Sequence, residues 1–173
     1  MKEELIKVPV VELVYRNNTK PSKRYKIVTA KDVHELLVSP FKDTIEHHIS
    51  TRVILLNGRN QVLGISTISE GALSYNITDI RFIVQLAALS NCKSLIVCIN
   101  QPSGDIEPTK QDDELVQQVK IALSYIDVEL LDYVLYYEEG YYSYSANGKI
   151  WKFRLVNFCL DWYTNKNNNS HHQ

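Results

Sequence analysis

Ser94 to Ile99 is the stretch that most constrains this chain, because Leu95, Ile96, Val97, Cys98 and Ile99 follow one another with no polar residue between them. A strand turns successive side chains to opposite faces, so an unbroken apolar run asks for burial on both. The run predicts a central strand of a covered sheet. What comes next narrows the choice. Pro102, Ser103 and Gly104 read as a turn, and Thr109-Lys110-Gln111-Asp112 has the form of a capping box. Leu115, Val119, Ala122 and Ile126 then recur at helical spacing.

The flanking segments supply partners for that strand. Arg52 to Leu56 and Val62 to Ser69 are β-rich runs joined through Asn57-Gly58-Arg59-Asn60, a hairpin signal. A helix is expected from Asp79 to Asn91, with Ile80, Ile83, Val84, Ala87 and Ala88 on one stripe. Phe82, Leu86 and Leu89 widen the stripe, so burial on most sides is expected. Thr29 suits the N-cap of a short helix carrying Val33, Leu36 and Leu37, with Pro40 just past its end. Short strands are expected at Tyr25 to Val28, Leu130 to Tyr137 and Tyr141 to Tyr144, the last two around a Glu138-Glu139-Gly140 turn. An edge strand is expected at Leu5 to Tyr15. This order predicts an α/β (α+β) chain with a mixed sheet and flanking helices.

The chain divides by composition into four parts. Residues 1–24 hold the first strand and a basic loop, and residues 25–150 form the main domain. Residues 151–163 include Trp151, Phe158 and Trp162, which suit covering an apolar face or meeting a partner. Residues 164–173 are mostly Asn, Ser and His and are expected to be disordered.

Composition excludes several classes. No apolar run approaches the length needed to span a bilayer, and no charged-then-apolar leader opens the chain, so the cytoplasm is expected. Cys92, Cys98 and Cys159 show no CxxC spacing, which argues against a disulfide framework and a Cys-rich zinc site. The net charge of −1 gives the whole chain no footprint for nucleic acid. A local exception is Lys20, Lys23, Arg24 and Lys26 around Pro21, read either as a solvated loop, the simpler account, or as a phosphate-binding patch.

The segment from Ile99 to Asp112 resembles the RadC version of the JAMM motif, keeping Asn100, Pro102-Ser103-Gly104-Asp105, Pro108 and Asp112 at the family spacing. The likeness extends to Val62-Leu63-Gly64, to Gly71 with Asp79 and Arg81, and to Leu130-Leu131-Asp132 followed by Glu139-Gly140-Tyr141 and Ser143. It covers about residues 20 to 148 and implies a JAB/MPN domain, a cytidine-deaminase-like three-layer fold. It also implies one zinc held by two histidines and the final aspartate, a glutamate base from an earlier strand, and a serine that stabilises the oxyanion.

Those roles land on unsuitable residues here. The histidine positions are Ile99 and Gln101, and only Asp112 remains of the three metal ligands. Thr109 stands at the serine position. The base falls at Ile49 or Ser50, with Glu46 the candidate if the register slips. Cys98 and Asn100 neighbour the lost ligands but should point to the opposite face, and His47-His48 is the only internal His pair. Asp112 reads better as the third residue of the capping box, and Asp105 as part of a turn kept for shape. Tyr133 replaces a residue that is usually His in RadC-like sequences. With Tyr136, Tyr137, Tyr141, Tyr142 and Tyr144 it suits strand packing or, alternatively, a binding face.

The resemblance with these losses implies a binding or scaffold module without hydrolase chemistry, with no cofactor and with a protein partner. The alternative is a zinc-dependent metallopeptidase or isopeptidase with substituted ligands. A third reading is a nucleic-acid binder, since the RadC label carries an association with DNA repair.

Overall fold

In a computed structural model, which describes residues 19–72 and 78–150 (backbone only at 39–44 and 72), the apolar run is the middle strand of a five-stranded sheet. The strands are β1 (Ile49–Leu56), β2 (Val62–Ala72), β3 (Ser94–Asn100), β4 (Glu129–Tyr136) and β5 (Tyr141–Ser143), in the spatial order β2-β1-β3-β4-β5. β1 runs antiparallel to β2 and β3, β3 runs parallel to β4, and β5 returns antiparallel. The expected edge strand at Leu5 to Tyr15 and everything after Ile150 lie outside the described residues.

Alternation along β3 divides the core in two. Leu95, Val97 and Ile99 pack with Val53, Leu55, Tyr133 and Leu135 under α2 (Ile80–Ser90) and α3 (Lys110–Ser124). Ile96 and Cys98 pack with Ile54, Leu56, Val134 and Tyr136 under α1 (Ala30–Ile45). The result is three layers, helix on sheet on helices. Each fully buried aliphatic side chain contributes about 1.5–3 kcal/mol to that arrangement.

The caps at Thr29 and Thr109 are where the sequence places them, and the structure adds those of α2. Asp79 accepts the Arg81 N–H at the start of α2, and Asn91 closes that helix in the left-handed region at φ 48°. Thr29 and Asp32 bond reciprocally at the start of α1, with the Thr29 N–H 2.7 Å from Asp32 Oδ2. Thr109 and Asp112 form the full capping box of α3.

Other expectations need correction. α1 does not stop before Pro40 but continues through it to Ile45. A proline inside a helix forfeits one backbone hydrogen bond, and burial of Ile45 beyond it, in the same cluster as Val33 and Leu37, works against that loss. α2 buries only Ile83, Ala87 and Ser90, while Phe82 is 54% exposed, so it is a surface helix with one apolar stripe. In α3 the buried stripe is Val116, Val119 and Leu123, and Ile126 is outside the helix and exposed. Tyr25 to Val28 is not a strand; Lys26 makes a single bridge to Gln61.

Asp132 ties β4 to the turn after β5. Its Oδ1 accepts the N–H groups of Tyr133 and Ser145, each at 2.8 Å, and its Oδ2 accepts the Ser143 hydroxyl. Burial raises its carboxyl pKa, and these hydrogen bonds only partly oppose that. A carboxyl whose folded pKa lies above its unfolded value contributes stability that is complete below the unfolded pKa and is lost as pH rises through the folded one. Asp132→Asn keeps an acceptor for both N–H groups and gives the Ser143 hydroxyl an amide donor. We expect it to stay within about 1 kcal/mol of the parent at pH 4 and to lose less stability towards pH 7 in urea titrations. Equal declines in the two proteins would remove Asp132 from the pH dependence.

Candidate functional site

A cleft of about 330 Å³ lies between the carboxyl end of β3 and the start of α3. Open α/β sheets commonly bind ligands outside the carboxyl ends of their strands. Ile49, Ile99, Leu115 and Tyr133 give this cleft an apolar side, and Gln101, Ser103, Asp105, Glu107, Thr109 and Asp112 give it a polar one. The structure therefore gathers Ile49, Ile99, Gln101, Thr109 and Asp112 at one place.

The first two of these positions are hydrocarbon. Ile99 is only 5% exposed and Ile49 only 8%, and both belong to the cluster under α2 and α3. Gln101 is half-buried, with its backbone N–H donating to the Tyr136 carbonyl at 2.7 Å. Asp112 is engaged at both oxygens. Its Oδ2 accepts the Thr109 N–H at 2.8 Å and the Thr109 hydroxyl at 2.6 Å, while its Oδ1 accepts the Tyr133 hydroxyl at 2.7 Å. Burial, then the Asp112 carboxylate, hold the Tyr133 hydroxyl well above the ordinary phenol range, so it remains a donor. The Thr109 hydroxyl is likewise committed to the cap.

Behind the cleft, strand alternation sends the intervening residues to the α1 face. Asn100 is fully buried and uses its whole amide. Its Nδ2 donates to the carbonyls of Ile45 and His48, both at 2.8 Å, and its Oδ1 accepts from the N–H and hydroxyl of Ser50, both at 2.7 Å. Asn100 thus fixes the turn between α1 and β1, and with it Ile49. The buried Arg52 donates to the Tyr136 hydroxyl at 2.8 Å on the same face. Burial pushes the Tyr136 phenol up to about 12, against the pull of Arg52. Cys98 lies in the α1-side cluster, where burial raises its thiol.

Of the remaining candidates, Glu46 and His47 are exposed turn residues away from the cleft lining. His48 pairs with Glu70 at 2.9 Å. Ser50 faces Asn100, so of the two residues Ile49 and Ser50 it is Ile49 that lines the cleft. Among the described residues, no three His, Cys, Asp or Glu side chains converge as a metal-binding group. Pro102 to Asp105 forms a turn, with Gly104 at φ +75° and its N–H on the Gln101 carbonyl at 3.0 Å. Tyr133, Tyr136 and Tyr144 are buried packing residues, and of the six tyrosines only Tyr141 is exposed.

Sequence reasoning missed two connections. Tyr133 was noticeable as a substitution, but its bond to Asp112 joins residues 21 apart and needs the β3–α3–β4 crossover. Asn100 was noticeable as a retained motif residue, without its partners 50 and more positions away.

Comparison with known proteins places this architecture. The model of the RadC-like JAB domain matches residues 27–149. Among curated relatives, a UPF0758 protein of Flavobacterium johnsoniae is 30% identical over 123 residues, covering 71% of this chain and 53% of the relative. One from Chlorobium chlorochromatii is 31% identical over 141 residues, covering 82% of this chain and 63% of the relative. One from Rubrobacter xylanophilus is 35% identical over 105 residues, covering 61% and 44% respectively. The chain thus spans about half the length of these relatives. Its mixed five-stranded sheet with helices on both faces is the architecture of a JAB domain, and the chain belongs to the RadC-like JAB domain family.

Proposed function

We propose that this RadC-like JAB domain works without a catalytic zinc, as a binding or scaffold module that meets a protein partner. The observation that carries the reading is the state of Asp112: each carboxylate oxygen already accepts a hydrogen bond from Thr109 or Tyr133. A hydrolytic zinc takes three nitrogen, sulfur or oxygen ligands from protein and keeps one position for water. Ile99 offers hydrocarbon, and Gln101 a neutral amide that is a weak zinc ligand beside imidazole. Ile49 stands where a base would be needed. These residues do not fit the family's metal, and no reaction step is derived through it.

The same proposal places the protein in the cytoplasm. In its support, Cys92 and Cys98 are free and buried, and no helix among the described residues is long and apolar enough to cross a membrane. The competing reading is a metallopeptidase with substituted ligands. To separate them, peptide and isopeptide substrates are incubated with untagged full chain, with and without added zinc. Our reading expects no turnover above buffer. Chelator-sensitive cleavage abolished by Asp112→Ala, in a variant shown to remain folded, would overturn it.

A further inference from the structure

A basic surface lies at the opposite end of the sheet from the cleft. The segment Lys20 to Lys26, with its short 3-10 turn at Pro21–Lys23, folds against the β1–β2 turn. The Gln61 side chain donates to the Pro21 carbonyl at 3.4 Å, and Lys26 bridges Gln61. The Val62 N–H reaches the Tyr25 carbonyl and the Ile27 N–H reaches the Asn60 carbonyl, both at 2.9 Å. These bonds bring Lys20, Lys23, Arg24 and Lys26 to the same end of β2 as Arg59 in the turn. β3, which starts beside this turn and ends at the cleft, is roughly 20 Å long for its seven residues, so the two surfaces are separate.

Among the described residues, no carboxylate pairs with the cations there. Lys31, Arg81, Lys93 and Lys149 each face a carboxylate. Among the described residues, Lys20, Lys23, Arg24, Lys26 and Arg59 form no ion pair. Four of these five are exposed, and Arg24 is half-buried. Between Arg24 and Lys26 stands Tyr25, 42% exposed. Of the carboxylates that act on Tyr25, Glu35 pairs with Lys31 at 3.5 Å, while Asp32 keeps its charge in the α1 cap, one anion against the five cations of the patch.

Unpaired cations attract any polyanion, and the exposed ring narrows the choice. Alternating cationic and aromatic side chains are how proteins hold single strands, with phosphates on the charges and a base stacked on the ring. The segment carries no helix that could enter a duplex groove. We propose that Lys20–Lys26 with Arg59 forms a binding surface for single-stranded nucleic acid, with a base stacked on Tyr25. This goes beyond the function proposed for the cleft and does not depend on whether zinc binds there.

The test is fluorescence anisotropy of a labelled oligothymidylate with the full chain across a salt series. Binding at low salt is expected, weakening with a log–log slope of about −2 to −4 for three to five phosphate contacts on a single strand. Lys23→Glu with Lys26→Glu is expected to reduce affinity at least about tenfold and to flatten that slope. Tyr25→Ala is expected to reduce affinity by about 5- to 100-fold with the slope retained. Both variants should unfold at the parent's temperature, because the altered side chains are exposed. Absence of binding at low salt would overturn the proposal. So would Tyr25→Ala binding like the parent, or phosphatidylserine vesicles binding as tightly as the oligonucleotide.

Discussion

Asn100→Ala is expected to destabilise the domain by about 3–5 kcal/mol, lowering its unfolding midpoint by roughly 10–20 °C. The amide bonds four groups of the α1–β1 connection: the Ile45 and His48 carbonyls and the N–H and hydroxyl of Ser50. Asn100 is fully buried, so its four partners are shielded from bulk water when the side chain is cut back. Each buried group left unpaired costs about 1–3 kcal/mol. Asn100→Asp separates hydrogen bonding from size. A carboxylate has nearly the same shape but cannot donate to two carbonyls, so it too is expected to be severely destabilised. Urea denaturation gives the magnitude, and faster amide exchange at residues 45–50 would locate it. An Asp variant as stable as the parent would refute this role for Asn100.

Asp112→Ala is expected to destabilise by about 2–4 kcal/mol in zinc-free buffer, combining loss of the α3 cap with a buried Tyr133 hydroxyl left without its acceptor. Tyr133→Phe removes the donor alone and is expected to cost about 1–2 kcal/mol. Because the two groups touch, the double variant should lose less than the two losses added together, with a coupling of about 1–2 kcal/mol. A metal ligand would behave otherwise. Its removal would be mild in zinc-free buffer, where no ion is lost, and severe only against a zinc-loaded parent. Additive losses would mean that the Tyr133–Asp112 bond adds no stability.

How much of this was legible in the sequence depends on the range of each interaction. The β3 run, the Asn57–Asn60 turn and the caps at Thr29 and Thr109 are local signals, set by alternation, turn chemistry and orphan N–H groups within a few residues. Each stands in the structure where it was expected. α1 was cut short because Pro40 is a local stop signal, whereas burial of Ile45 against the sheet is a tertiary effect. The α3 stripe was displaced by one position at its start, from Leu115 to Val116, since spacing alone does not say which side of a helix faces the sheet.

The cleft was partly legible. Ile99, Gln101, Thr109 and Asp112 could be placed by the resemblance, and Ile49 was one of two candidates until the burial of Ser50 against Asn100 assigned the cleft side to Ile49. The bond from Tyr133 to Asp112 could not be read, because it depends on how far β4 slides along β3. A shift of one residue there would turn Tyr133 to the α1 face. The basic segment was visible as a charge cluster, but its union with Arg59 required the contacts to residues 60–62.

The most direct test of the account is the zinc content of untagged full chain, measured together with its unfolding midpoint before and after exhaustive chelation. The account expects zinc well below one equivalent and an unchanged midpoint, because the Tyr133 hydroxyl and the Thr109 cap already satisfy Asp112. One tightly held equivalent, removed only with a fall in the midpoint and lost in Asp112→Ala, would contradict it.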